Sequence, residues 1–233
     1  MGLPRSGTTY LMTLLNSHRQ IDCSGEQFNP YAVVNVSDKK RDIDTVLSRD
    51  AAPEEHMNAF FAEAETRKVE RVGFKFMLGH NIRVLDHLLK TPDVTLIYVH
   101  RDNKLAQVSS WIKASSERKW AQNTVDEHVS KKIQVAPRKV SHIWHEYATT
   151  DALFSRVFED LPHHKIKLEY RELFAPGFNE RICGFLGVQP DRKMKSPLVK
   201  QGSNNILDRF QNPKAIENYF TTIGRADWLE PEL

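Results

Sequence analysis

Cysteine is nearly absent. The 233 residues contain two, Cys23 and Cys183, far apart and without metal-ligand spacing, so neither a disulfide framework nor a zinc site organises the chain. One disulfide or two free thiols would fit this count. The expectation is free thiols in a reducing compartment, and with it a cytoplasmic location. Excess charge is also small. Lys and Arg number 33 against 30 Asp and Glu, a formal net charge of +3. That is too mild for a nucleic-acid partner, yet it suits a small polyanionic ligand. No apolar run approaches the length of a membrane span, and no signal-peptide pattern is present. Neither internal repeats nor low-complexity linkers divide the chain. What remains is 40% hydrophobic and 27% charged, ordinary for a globular protein. A single domain over residues 1–233 is expected.

One further absence is the most informative. Gly2 and Gly7, in Gly-Leu-Pro-Arg-Ser-Gly-Thr-Thr-Tyr-Leu, have the spacing of a phosphate-binding loop, but the loop lysine is missing. Thr8 stands in its place, Thr9 takes the Ser/Thr position, and a cation, Arg5, sits inside the loop. A cradle of backbone N–H groups at a helix N-terminus is retained. The side chain that would reach the terminal phosphates of ATP is not. Such a loop follows a buried strand, and only Met1 precedes Gly2. The expectation is a first β-strand lying upstream of residue 1, which leaves an upstream signal or anchor open.

Leu11, Leu14 and Leu15 predict a helix from Thr8 to about His18. Ile21 to Cys23 reads as a short strand, and residues 35–52 are polar and poorly patterned. Pro53-Glu54-Glu55 opens a helix to about Lys68, with Pro in the first turn and acids at its positive end. Strands are expected at Arg71 to Met77, Val94 to His100 and Lys165 to Glu169. Helices are expected around Ile82 to Leu89, at Asn103 to Ala114, at Pro137 to Leu161 as one long helix or a helix pair, and at Phe178 to Leu186 ahead of Gly187. Residues 188–206 read as a long loop. Alternating strands and helices predict an α/β fold, a P-loop-type parallel sheet with helices on both faces. Its ligands would bind at the carboxyl ends of the strands.

Pro-Arg-Ser-Gly-Thr-Thr resembles the 5′-phosphosulfate loop of sulfotransferases that use 3′-phosphoadenosine 5′-phosphosulfate (PAPS). The loop, Gly25-Glu26, Val72-Gly73-Phe74-Lys75, Arg101 to Trp120, Tyr170-Arg171-Glu172-Leu173, Phe185-Leu186-Gly187 and Lys200-Gln201 occur in order. Together they resemble bacterial nodulation-factor sulfotransferases and related carbohydrate sulfotransferases over nearly the whole chain. The resemblance implies that Arg5, Ser6, Gly7, Thr8, Thr9 and Tyr10 bind the cofactor, with PAP as product and no metal. Arg101 follows the best strand and Ser109 lies in the next helix. This is a charge-assisted phosphate clamp at the spacing where the family binds the 3′-phosphate. Tyr170 matches a tyrosine that contacts adenine. Lys200 and Ser203 lie where a basic loop covers the 3′-phosphate, although the usual Arg-Lys-Gly triplet is absent.

Sulfuryl transfer is in-line displacement, so positioning and charge stabilisation carry it. Arg5 and Lys75 are the candidate cations, Lys75 by its match to a catalytic lysine of the family. Glu26 is the candidate general base, as in tyrosylprotein and trehalose-type sulfotransferases, and His80 is the alternative. Cytosolic sulfotransferases carry a His two residues after the Lys, where this chain has Met77. The expected partner is a small-molecule or glycan acceptor. Trp111, Trp120, Phe60 and Phe61 could stack on it, and core packing explains them equally. Two other readings stay open: a P-loop kinase or NTPase, opposed by Thr8 and Arg101, and a non-catalytic nucleotide-binding protein on the same fold.

Overall fold

The computed structural model describes residues 1–35, 38–66, 68–117, 120, 131–198 and 203–233. Helix α1 (Thr8–Asn16) leads to strand β1 (Ile21–Ser24), and a small antiparallel hairpin joins β2 (Val33–Val34) to β3 (Lys39–Lys40). Helices α2 (Ile43–Ala51) and α3 (Pro53–Glu65) precede β4 (Arg71–Phe74), α4 (Ile82–Lys90) and β5 (Leu96–His100). Then come α5 (Lys104–Glu117), α6 (Pro137–Asp160), β6 (Lys165–Glu169), α7 (Phe178–Leu186) and α8 (Pro213–Thr222).

β1 pairs in parallel with β4, with Ile21 opposite Arg71, and β5 pairs in parallel with β6, with Leu96 opposite Lys165. Gly2 makes parallel bridges to both Met77 and Val99 and so joins the two pairs. The strand expected to reach Met77 is regular only to Phe74, and Met77 takes part through this bridge.

Strand periodicity distributes side chains between two faces. Leu96 and Tyr98 pack with Phe154 and Phe158 of α6. Ile97, Val99 and Leu168 face α1 and α7, among Leu11, Leu14, Phe178 and Ile182. The sheet is thus covered on both sides, an α/β fold as expected. A helical layer of α5, α6 and α8 buries Val108, Val140, Ile143, Ile216 and Phe220.

Two helices depart from the expectation. α2 lies in the segment read as unpatterned, and Asp42 caps it by accepting from the Thr45 N–H at 2.8 Å. α8 starts at Pro213, with Asn212 accepting from the Ala215 N–H. Both cysteines are free, and burial pushes the Cys23 thiol up to about 12. Among the described residues no helix is long and apolar enough to cross a membrane.

Candidate active site

The loop from Gly2 to Gly7 is held by close approach and by strand-end side chains. A Cβ on Gly2 would lie 2.5 Å from the Val99 carbonyl oxygen and 2.8 Å from Ser6 Oγ. Arg5 has φ 65° and Gly7 φ 101°, left-handed conformations that turn the chain sharply into α1. A Cβ on Gly7 would meet Leu173 Cδ1 at 2.7 Å and Tyr170 Cδ2 at 2.8 Å. Gln107 Nε2 donates to the Pro4 carbonyl at 2.9 Å, and Arg101 Nη1 donates to the Arg5 carbonyl at 2.9 Å. The N–H groups of Thr8, Thr9 and Tyr10 open α1, where a helix has no internal acceptors for them. Ser6 Oγ is buried in the loop without a hydrogen-bond partner. Thr8 Oγ1 is turned to Met77 Sδ at 3.6 Å, so Thr8 has only its backbone to offer an anion.

On one side of the loop lies a carboxylate–ammonium chain. Lys75 Nζ donates to Thr9 Oγ1 at 2.7 Å and pairs with Glu26 Oε1 at 2.6 Å. His80 Nε2 stands 3.9 Å from Glu26 Oε2. Asn29 Nδ2 donates to that same oxygen at 2.5 Å. Burial would raise the Glu26 carboxyl. The Lys75 charge and the hydrogen bonds from Lys75 and Asn29 outweigh it and hold Glu26 below the usual carboxylate range. Burial pushes His80 down. Lys75 and Arg49 add to this, and Glu26 opposes it only in part, so the imidazole is neutral near pH 7.

The Glu26 loop is fixed from behind. Arg49 of α2 is 2% exposed, and its Nη1 donates to the carbonyls of Gln27, Asn29 and Ala32 at 3.1, 2.8 and 3.1 Å. Gln27 Nε2 reaches Ser24 Oγ at 2.7 Å and the Val34 carbonyl at 3.0 Å.

On the other side lies a group of guanidiniums. The alternation along β5 carries Arg101 to the α1 face, whereas His100 turns away and pairs with Asp102 at 3.1 Å. Arg101 lies over the Tyr170 ring, 4.0 Å from its centroid. It forms a two-pronged pair with Glu232, with Nε donating to Oε1 at 2.6 Å and Nη2 to Oε2. Arg209 Nη1 donates to Ser109 Oγ at 2.9 Å and to the Ala106 carbonyl at 3.1 Å. Its Nη2 donates to the Ser203 carbonyl at 2.7 Å. Arg5 Nε reaches Ser110 Oγ at 2.9 Å, and its Nη1 reaches the Trp120 carbonyl at 2.6 Å. Burial, and then the neighbouring Arg101 charge, brings Arg5 and Arg209 down to about 10.

The structure therefore gathers Arg5, Ser6, Gly7, Thr9, Lys75, Glu26 and His80 at the loop, with Arg101 and Ser109 beside it. At Tyr170, expected to contact adenine, one ring face carries the Arg101 guanidinium and the ring meets Phe174 edge-on. Beside it the ring of Tyr10, partly buried on the core, lies 4.6 Å from that of exposed Phe174. A groove of about 270 Å³ runs there, lined by Leu173, Ala175, Phe178 and Asn179 as well. Ser203 is exposed and contributes its carbonyl to Arg209. Lys200 lies outside the described residues. Phe60 is buried against Phe61 and Phe74, Trp111 packs on the helical layer, and Trp120 is half-exposed. Arg49, Arg209 and Glu232 belong to the site region and carry no sequence motif.

A loop carrying a guanidinium at the head of a helix, on a parallel sheet and beside a Glu–Lys pair, places this region in an α/β fold of group-transfer architecture. The chain matches the Sulfotransferase family over residues 1–192 and belongs to that family. It is a transferase whose general reaction is sulfuryl transfer. Nodulation protein H of Rhizobium meliloti (strain 1021) is 27% identical over 215 residues, covering 90% of this chain and 84% of that protein. A second Rhizobium meliloti Nodulation protein H matches with the same identity and coverage. The crystal structure of a sulfotransferase from Alicyclobacillus acidocaldarius aligns over 98% of this chain and 96% of that one, with TM-score 0.47 and 16% identity.

Proposed function

We propose that the chain transfers the sulfuryl group of PAPS to a hydroxyl of a carbohydrate or small-molecule acceptor and releases PAP. The observation that carries this is Lys75, held between Thr9 of the phosphate loop and Glu26 at 2.7 and 2.6 Å. A cation there touches both the donor cradle and the group suited to accept the acceptor's proton. The residues present fit the cofactor. The loop has a buried hydroxyl without a partner at Ser6, no room for a Cβ at Gly7, and three guanidiniums nearby.

When bound, the cofactor supplies an activated sulfuryl group. The first-turn N–H groups of α1, with Ser6 and Thr9, would hold its 5′ end, and Arg101, Ser109 and Arg209 its 3′-phosphate. The Tyr10–Phe174 groove has the size and aromatic lining for its base. Arg5 and Lys75 would stabilise charge that develops on transfer. Glu26 would accept the hydroxyl proton, with His80 the second candidate. The Lys75 charge that depresses Glu26 is the charge the reaction calls on. Lys75 turned toward an incoming anion neutralises Glu26 less, and the carboxylate becomes more basic as the donor site fills.

Calorimetry and turnover test the reading. PAP and PAPS should bind tightly and ATP weakly, and labelled sulfate should pass to an acceptor in the presence of a chelator. Arg101→Ala should cost about 2–5 kcal/mol of PAP affinity. If adenosine 5′-phosphosulfate, which lacks the 3′-phosphate, binds as tightly as PAPS, the assignment of Arg101 and Ser109 is wrong.

A further inference from the structure

The Arg101 fork is already engaged by an anion of the chain itself. Glu232 holds it with both carboxylate oxygens, and its side chain is 0% exposed. It belongs to a short stretch after the turn Ala226–Leu229, which is anchored by buried Trp228 and by the Asn103 amide on the Trp228 carbonyl at 3.0 Å. Beyond that anchor Glu230, Pro231 and Leu233 are exposed, and Glu232 is the buried residue. The stretch is therefore docked through one carboxylate. Arg209, which donates to Ser109 Oγ, otherwise donates only to the Ala106 and Ser203 carbonyls among the described residues.

We propose that Glu232 is a built-in competitor for the cofactor's 3′-phosphate: its carboxylate occupies the Arg101 fork, and the stretch 230–233 is displaced when that phosphate enters. This rests on the reading of Arg101 and Ser109 as the 3′-phosphate site. The same planar fork binds carboxylate and phosphate bidentately, but only one at a time. A phosphomonoester brings nearly two charges near neutral pH. It can also take hydrogen bonds from Ser109 and Arg209, whereas among the described residues the Glu232 carboxylate takes them from Arg101, so the exchange favours the phosphate. A nucleotide without a 3′-phosphate gains nothing from Arg101 and leaves Glu232 docked. Glu232 thereby becomes a specificity determinant. It lowers the apparent affinity for the cofactor by the docked fraction and keeps the cationic site shielded from other anions.

The test uses the full chain, with Glu232→Gln, Glu232→Ala and Arg101→Ala beside wild type. Titrations use PAP and 5′-AMP. If the stretch is docked nine-tenths of the time or more, both Glu232 variants bind PAP about tenfold tighter or better, and 5′-AMP affinity does not change. In wild type, hydrogen exchange in the peptide spanning 230–233 accelerates with saturating PAP and not with 5′-AMP, a readout that a merely structural ion pair would not move. PAP affinity unchanged or weakened in both Glu232 variants, or no acceleration on PAP binding, overturns the proposal. If PAP binding is also indifferent to Arg101→Ala, the 3′-phosphate reading itself fails and the competitor role with it. If Arg101→Ala weakens PAP while the Glu232 variants do not tighten it, the competitor role alone is refuted.

Discussion

Gly7→Ala isolates the demand that the loop makes on one residue. Two effects add. Gly7 has φ 101°, and a side chain held there costs about 1–3 kcal/mol of backbone strain. The new Cβ would also stand 2.7 Å from Leu173 Cδ1 and 2.8 Å from Tyr170 Cδ2. Relieving that contact in a packed site costs a further 1–3 kcal/mol or so. The total, about 2–6 kcal/mol, corresponds to a fall in Tm of roughly 5–20 °C for a chain of this size. Tyr170 carries Arg101, so the shift that makes room also moves the guanidinium, and PAP affinity should fall with stability. Gly184→Ala is the control. Gly184 lies in α7, and a Cβ there meets nothing within 4 Å. It should stabilise by about 0.5–1 kcal/mol through lost unfolded-state freedom. Thermal melts by circular dichroism, with PAP titrations of each variant, read both effects. A Gly7→Ala protein that melts like wild type and binds PAP normally would refute the reasoning. So would equal behaviour of the two variants.

Glu26→Gln should lower turnover about 10²–10⁴-fold as lost general-base catalysis, with PAP affinity barely changed and His80→Asn comparatively mild. Turnover and PAP binding on one acceptor check this, and the reverse ranking would make His80 the base. Stability should also fall as pH drops from about 7 toward 5. His80 and His56 are both lowered, chiefly by burial, so the unfolded chain takes up protons at the ordinary histidine value of about 6.5 before the folded one does. Urea melts across that range should show the slope, and His80→Asn should flatten it.

Sequence reading succeeded where a local rule governs a residue and failed where tertiary contact does. The apolar, β-branched run ending at His100 marks β5, and the period of two then fixes the face on which Arg101 emerges. The spacing of Gly2 and Gly7 marks the loop and the start of α1. α2 was not legible because its exposed side includes Ile43 and Leu47 while its buried side includes Arg49. A helix that buries an arginine against loop carbonyls carries no apolar stripe. α8 did have a signal, the Asn212-Pro213 start. Glu26, Lys75 and Thr9 could each be singled out, but their common junction depends on how β1, β4 and α1 come together. Tyr170 matched a motif, and nothing in that motif marks the Arg101 guanidinium that lies over its ring. Arg209 and Glu232 come to Ser109 and Arg101 from segments without periodicity, so nothing local marks them.

Gly2 gives the double bridge a further meaning. Its neighbours on one side are β4 and β1, which deliver Lys75 and Glu26; on the other are β5 and β6, which deliver Arg101 and the turn bearing Tyr170. The groups proposed to anchor the donor's 3′ end and those proposed to activate the acceptor thus stand on opposite halves of the sheet, and Gly2 bridges the two. In-line transfer depends on the angle between donor and acceptor, so on that reading the twist between the two halves bears on it directly. Gly2 admits no side chain there, since a Cβ would strike the Val99 carbonyl. On the proposed reading, a residue that carries no reacting group bears on the alignment of the reaction.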